Sequence, residues 1–593
     1  MIKKRLWIAC VLMRLIFLPG AGMAEESSTP LTNQVAVAAQ WRVDVVPGAG
    51  RHTLEIYLHN TGASEMVLTN LQCAIPTLAG NIVWWQFYPD QRLNPGGTIV
   101  CQVHYGLPAI NKHQLSLDVE GRDSITVSVP ARQPPTRQIT AISFAADYSR
   151  VYVQYQARNV KPRRVFLNGV GQTNYVRLAA PGGQGPDVLV LRPERAVTVG
   201  SPVAVRMQFK DSTWAEALVR AFSGIMCDAY LVNTAAERQA LGLDADPGIA
   251  NFKTVWGGDP ACYDVNQNRV GASAAELLKE RIALYAAQSN KLTAIHYCTA
   301  SVVGVWDIYG QTADAAFASP YCLSHWRDVD RWLENEESFM VKAWLSARPR
   351  PWLYITDTFR KKARFCEAEE LQTLVWVALL RGGKGIKYFA YHQVKTNQAG
   401  FVSCPPLMQA VKDLNAAIRQ RQTRLAPLLP VSVETLGDAR TGVRVYTAWA
   451  GDLGVLLLLR NLDYTTDDQA NADGAQPRFQ VKLKENLRVP FVLPDWLSFG
   501  GVEDALTGAA LKTSAPDAQR RIEMEIGPLA AMRLLWLPHV PPGAVVPPQI
   551  QPSPPAPTLP AKTARHWVVG ALIIIILAGA VMAWRWRKTK NKI

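Results

Sequence analysis

The sequence predicts a multidomain chain: N-terminal β-sandwiches, a central β/α (TIM-like) barrel, a C-terminal β-sandwich and one C-terminal transmembrane helix. Three observations predict it. Period-two apolar alternation dominates both flanks of the chain, strand-like and helix-like runs alternate between 213 and 428, and an uncharged apolar run lies near the C-terminus, ahead of a short basic tail. About 515 residues between the two ends exceed what one core supports, so several domains are expected.

The N-terminus places Lys3, Lys4 and Arg5 before an apolar run from Leu6 to Leu18 and a small-residue stretch ending at Ala24. That order reads as a signal peptide over 1–24. Residues 35–131 read as a first β-sandwich, with Thr53-Leu-Glu-Ile-Tyr-Leu58 leading into the turn Asn60-Thr-Gly62, and Ser124-Ile-Thr-Val-Ser-Val129 as another alternating run. After Pro134-Pro135, a second sandwich over 138–209 carries Val151-Tyr-Val-Gln-Tyr155, Arg164-Val-Phe-Leu167 and Val203-Ala-Val-Arg-Met207.

In the barrel region, 213–428, strands are expected at 224–228, 252–256, 292–296, 302–306, 352–356 and 385–389, and helices at 273–288, 326–346, 367–381 and 405–424. The helix at 367–381 shows its limits: Glu367, Glu369 and Glu370 suit the N-terminal dipole, Leu371, Leu374, Val375, Ala378 and Leu379 share one stripe, and Gly382-Gly383 ends it. Strands return over 430–538 as the C-terminal sandwich. A proline-rich linker covers 541–563, and 567–584 is a charge-free run of ~27 Å as a helix, enough to cross a bilayer. The basic tail, 585–593, places that end in the cytoplasm and the ectodomain in the periplasm or outside the cell.

Of nine cysteines, Cys10 falls in the signal peptide. An even remainder in an exported chain suggests disulfides. Connectivity is open in the sequence; pairing of neighbours gives 73–101, 227–262, 298–322 and 366–404. No CxxC and no helical His pair argue for a metal, and no cofactor is expected. The formal charge of +15 includes the signal peptide and the tail, without a basic motif interleaved with aromatics, so nucleic acid is not an expected partner. No Gly-x-Ser-x-Gly elbow surrounds Ser223 or Ser301, and Gly382-Gly-Lys-Gly385 reads as a helix-to-strand turn rather than a phosphate loop.

The stretch Arg350-Pro-Trp-Leu-Tyr-Ile-Thr-Asp-Thr-Phe-Arg360, the helix start Glu367-Ala-Glu-Glu-Leu, and Gly382-Gly-Lys-Gly-Ile-Lys-Tyr-Phe-Ala390 together resemble the barrel glycoside hydrolases. Leu457-Leu-Leu-Arg-Asn461 and Val502-Glu-Asp-Ala-Leu-Thr-Gly508 resemble their C-terminal sandwich. The resemblance covers roughly 213–538 and implies a carbohydrate ligand. Paired-acid hydrolysis needs two carboxylates facing one sugar, at C-terminal strand ends in such a fold. Asp228, Asp307 and Asp357 are the candidate catalytic groups, with Asp259 a turn residue. Tyr230, Trp256, Trp306, Tyr309, Tyr388 and His392 are candidate substrate contacts. An Asn-Glu dipeptide at a strand end, common in retaining enzymes of this kind, is missing. Two functions therefore stand open: a glycoside hydrolase-like enzyme, or a non-catalytic glycan-binding or envelope protein on a degenerate barrel. The oligomeric state is not legible.

Overall fold

The computed structural model describes residues 34–541 apart from 43–51, 107–110, 134, 158–159, 182–184, 256–273, 299–307, 309, 324–328, 361–363, 397 and 467–478; at 251–255, 274–275 and 297–298 only the backbone is described. The described residues belong to one compact unit, and 543–593, a second unit, lie outside the described residues.

The first sandwich stacks a sheet in the spatial order Val35–Trp41, His52–Asn60, Thr98–Tyr105, Ile82–Tyr88 on a second sheet, Arg92–Leu93, Met66–Gln72, His113–Val119, Ile125–Val129. Strict alternation makes such a strand two-sided: along Ile125–Val129, Ile125, Val127 and Val129 are buried while Thr126 and Ser128 are exposed. The second sandwich pairs Gln138–Phe144, Val151–Gln156 and Asp187–Leu191 against Pro162–Leu167, Pro202–Phe209 and Trp214–Arg220 around its own core. At the far end, a six-stranded sheet built on Leu428–Leu436, Val443–Ala450, Gly454–Asn461 and Met532–Pro538 closes over the pair Lys484–Val492 and Arg521–Leu529.

Between these sandwiches lies the central sheet, with strands β1 (Met226–Ala229), β2 (Ile249–Val255), β3 (Leu292–Cys298), β4 (Ala315–Ser319), β5 (Trp352–Asp357) and β6 (Gly383–Phe389). Helices α1 (Ala274–Ala287), α2 (Trp332–Ala347), α3 (Ala368–Leu380) and α4 (Pro405–Gln420) accompany it. All its described pairings are parallel, in the order β1-β6-β5-β4-β3-β2.

The expected closed barrel is corrected by this topology. The sheet has six strands, β1 pairs only with β6, and β2 forms the opposite edge, so among the described residues the ring is open between β1 and β2. The structure as described is chiefly β-sheet, with helices confined mostly to this middle region. β4 (Ala-Ala-Phe-Ala-Ser) was not expected as a strand. Its alanines suit a helix, but every residue in it is buried, and a parallel strand covered on both faces loses the alternation that would announce it.

Local chemistry explains the best-formed helix. Glu370 accepts from the Glu367 N–H (2.7 Å), and Gly382, at φ +87°, takes the left-handed position that ends α3. From Glu370 to Leu380 nearly every residue is buried, because the sheet covers one side of α3 and the C-terminal sandwich another. Gly385 in β6 is needed for close approach: a Cβ there would lie 2.4 Å from the Leu353 side chain.

The single-pass membrane placement is also corrected: among the described residues no helix is long and apolar enough to cross a membrane. Residues 567–584, on which that expectation fell, are outside the described residues, as are the signal peptide, most of the linker and the tail. The pairings 73–101 and 366–404 are not formed, since Cys73, Cys101, Cys366 and Cys404 carry free thiols, and Cys227 does too. Cys262 and the Cys298 side chain are not described. Among the described residues no group of three His, Cys, Asp or Glu side chains could hold a metal ion.

Candidate functional site

Side chains alternate across a strand, so each central strand presents one set to the helices and another to the opposite, concave face. The apolar core of that concave face comprises Met226, Ile249, Leu292, Ala294, Phe317, Leu353 and Ile355. Towards the C-terminal ends of the strands the same face turns polar.

Asp228 on β1 is the register partner of Lys387 on β6. Its carboxylate accepts from the Lys387 ammonium (2.8 Å) and from the Arg238 guanidinium (2.8 Å). Arg238 is carried on the short helix Ala235–Ala240, whose start is fixed by a reciprocal cap: the Glu237 N–H donates to Thr234 Oγ1 (3.1 Å) and the Thr234 N–H to Glu237 Oε2 (3.0 Å). Burial alone would raise the Asp228 carboxyl, but Lys387 and then Arg238 outweigh it and hold the group below its ordinary value.

Lys387 lies 4.2 Å from the centre of the Tyr230 ring and 5.5 Å from that of Phe317, so aromatic faces share in holding the cation. The Tyr230 hydroxyl is 3.5 Å from His296 Nδ1, and His296 Nε2 is 2.7 Å from Ser319 Oγ. Burial first, and the Lys387 charge second, push His296 down to about 3, so its ring is neutral at physiological pH. Burial and the Asp228 charge raise the Tyr230 phenol, which stays protonated.

Above this cluster four aromatic rings interlock. Phe389 meets Tyr230 and Phe359 at 5.1 Å each and Tyr321 at 5.2 Å, while Tyr321 meets Phe359 at 5.5 Å. Leu231 and Tyr321, just beyond the ends of β1 and β4 at Ala229 and Ser319, hold positive φ of 58° and 50°. Such backbone is uncommon for residues with a side chain and concentrates at functional sites.

Asp357 ends β5 as the register partner of Phe389 on β6, in alternation with Leu353 and Ile355. Its charge is felt by Glu336, Tyr354 and Cys366, groups associated with the helix-side core. Glu336, on α2, accepts from the Cys322 N–H (3.0 Å) and the Tyr354 hydroxyl (3.3 Å). Burial first and the Asp357 charge second raise the Glu336 carboxyl well above its ordinary value. Asp228 has another carboxyl within electrostatic reach, Asp244. That group accepts from the Cys227 N–H (2.7 Å), lies 3.5 Å from Arg419, and is raised chiefly by burial.

The structure therefore brings Asp228 and Tyr230 together. Tyr388 is buried in the helix-side core with its hydroxyl on Asn415 (2.9 Å). His392 sits 2.9 Å from Glu237, on the helix that carries Arg238. Asp307, Trp256, Trp306, Tyr309 and Asp259 lie outside the described residues. Lys387, Arg238, His296 and Ser319 were not anticipated. Lys387 had a signal, since a lysine inside an apolar buried strand needs a counter-charge; Arg238 and Ser319 had none.

No protein family matches this chain, and no curated protein matches it. Solved structures found similar include a cycloisomaltooligosaccharide glucanotransferase from Paenibacillus sp. complexed with cycloisomaltoheptaose, at 9% identity and TM-score 0.34, covering 82% of this chain and 97% of that one. Another is an alpha-L-fucosidase from Bacteroides thetaiotaomicron, at 9% identity and TM-score 0.23, covering 51% and 78%. At such TM-scores the likeness carries no argument, and the functional reading stands on the site alone.

Proposed function

We propose that this protein binds a glycan at the C-terminal rim of its central parallel sheet. One observation carries the reading. Asp228, Tyr230, Lys387, His296 and Ser319 come from four strands or their ends to one face, where ligands of parallel α/β sheets are received. The group combines an ionised acceptor, a neutral imidazole, hydroxyls and aromatic faces, which is the chemistry that hydroxyl-rich rings require.

The same geometry favours binding over cleavage by paired acids. Asp228 is paired with two cations, Lys387 and Arg238, Asp357 lies opposite Phe389 in the β5–β6 ladder, and Asp244 already accepts from the backbone of β1. Hydrolysis would need a second carboxyl opposite Asp228, and Asp357, at the end of β5, and Asp307, between β3 and β4 in sequence, are the candidates for that role.

Binding to a panel of soluble oligosaccharides, with reducing-end release measured in parallel, tests the reading. Saturable binding weakened about tenfold or more by Asp228→Asn and by Lys387→Met is expected, with no release of reducing ends. Release abolished by Asp307→Asn or by Asp357→Asn would replace binding with catalysis, and absence of binding to every member would remove the proposal.

A further inference from the structure

A second polar-and-aromatic recess lies where the first sandwich meets α1, and it shares no residue with the rim. It is a cavity of about 220 Å³ lined by Thr69, Trp85, Phe87, Gln91, Leu278, Lys279 and Ile282, with Gln86. Trp85 and Phe87 stand two apart on the strand Ile82–Tyr88 and therefore face the same way; their rings meet edge-on at 5.6 Å. Leu278 belongs to the first sandwich's core although it is on α1, and Ile282, one turn further on, packs against that core. The helix thus forms the second wall.

The lining divides by chemistry. Phe87 and Leu278 are buried, Trp85 and Ile282 are half-buried, and Thr69 and Lys279 are exposed, with Gln91 between. Gln86 does not serve the cavity with its amide, which donates to Gln102 (3.0 Å) and to the Gln311 carbonyl (2.7 Å). The result is an indole-bearing apolar wall beneath a lip offering a hydroxyl, an amide and an ammonium. A drug-sized ligand needs about 300–1,000 Å³, so this recess suits a single ring.

We infer that this recess binds one hexopyranose unit of a glycan, its C–H face on Trp85 and its hydroxyls on Gln91, Thr69 and Lys279. A pyranose has the required division into an apolar face and a hydrogen-bonding edge, whereas an alkyl ligand would leave the polar lip unused. The inference names a second glycan contact and does not depend on the rim, because none of its residues belongs to that cluster.

Hydrogen–deuterium exchange of the full chain with cellohexaose, with a galacturonate hexamer and with cyclohexanol tests it. Protection within 82–91 and 277–282 by at least one oligosaccharide is expected, and cyclohexanol should give none. Affinity for that oligosaccharide should fall about tenfold in Trp85→Ala and recover in Trp85→Tyr. Lys279→Ala, at an exposed position, should weaken it severalfold without disturbing the fold. Protection by cyclohexanol alone, no protection by any probe, or unchanged affinity in both Trp85→Ala and Lys279→Ala would overturn the inference. Protection at 228–230 and 387–389 reports the rim separately, so either reading can fail alone.

Discussion

The two ends of the central sheet both bury charge, but they use it differently. At the N-terminal end Asp314, just before β4, accepts from Tyr88 (2.8 Å), Arg220 (3.1 Å), Tyr285 (2.8 Å) and both the N–H (2.7 Å) and hydroxyl (2.9 Å) of Thr293. Arg220 goes on to the carbonyls of Gly200 (2.6 Å) and Ser289 (2.9 Å), and Arg350 stacks on Tyr88 at 3.3 Å while donating to the Ala313 carbonyl (3.0 Å). Lys384 at the start of β6 donates to Ser143 (2.9 Å) and to the carbonyls of Ala426 (2.9 Å) and Leu428 (2.7 Å). These charges fasten both N-terminal sandwiches and the C-terminal sandwich to the sheet. At the C-terminal rim the ion pairs of Asp228 stay among the strand ends and one short helix, and half-buried aromatics stand beside them. Charge placed between domains serves cohesion; charge gathered at strand ends under aromatic rings serves a ligand.

The sharpest way to break this contrast is Asp314→Ala. It leaves Arg220 buried without its carboxylate and removes the shared acceptor of Tyr88, Tyr285 and Thr293, so a loss of about 3–5 kcal/mol is expected. Chemical denaturation should show it, and a change below 1 kcal/mol would mean that this end does not fasten the domains.

Lys384→Met tests the same end through pH. Burial pushes the Lys384 ammonium down to about 7 from an ordinary 10.5. Above pH 7 the unfolded chain therefore binds the proton that the folded chain has released, and stability rises with pH up to the ordinary lysine value. On the order of 2 kcal/mol is expected between pH 7 and 9. The variant should lack this rise; an identical pH profile in wild type and variant would show that Lys384 keeps its proton on folding.

Asp228→Asn probes the rim. Its cationic partners are partly exposed, at 14% for Lys387 and 22% for Arg238, so a stability loss of about 1–2 kcal/mol is expected, smaller than at Asp314. The folded carboxyl lies below its ordinary value, so its contribution is present above the unfolded carboxylate range and lost as pH falls through the folded value. Thermal midpoints of wild type and variant should therefore converge in acid.

Much of the frame was legible because alternation and turn chemistry are local. Thr53–Leu58 lies within an observed strand and Ser124–Val129 overlaps one that begins at Ile125, β3, β5 and β6 appear close to the expected positions, and Gly382 ends α3 as its sequence implied. Closure was not legible, since whether β1 meets β2 depends on packing between segments distant in sequence. The acidic site was half legible. A strand-end aspartate is visible in the chain, but its partner is set by register: Asp228 meets Lys387 across the β1–β6 ladder, whereas Asp357 meets Phe389 across the β5–β6 ladder. Glu369 and Glu370 read alike as dipole partners, yet Glu370 is buried between Arg364 (2.6 Å), Trp332 and Thr466. Nothing in its neighbours in sequence distinguishes those fates.

The smallest expected effect concerns His296, and here the informative result is an absence. A histidine near its ordinary value of 6.5 would make ligand binding at the rim change between about pH 5 and 8. Burial and the nearby Lys387 hold this ring neutral down to about 3, so it offers one donor and one acceptor throughout that range. Its hydrogen bonds to Ser319 and Tyr230 should then persist, and glycan affinity should be flat from about pH 5 to 8. Titrating the histidine C–H resonances by NMR alongside affinity checks both parts: a midpoint near 6 assigned to His296 would mean that water reaches the cluster freely. The rim would then be solvated like an ordinary surface, and its contrast with the sealed N-terminal end would disappear.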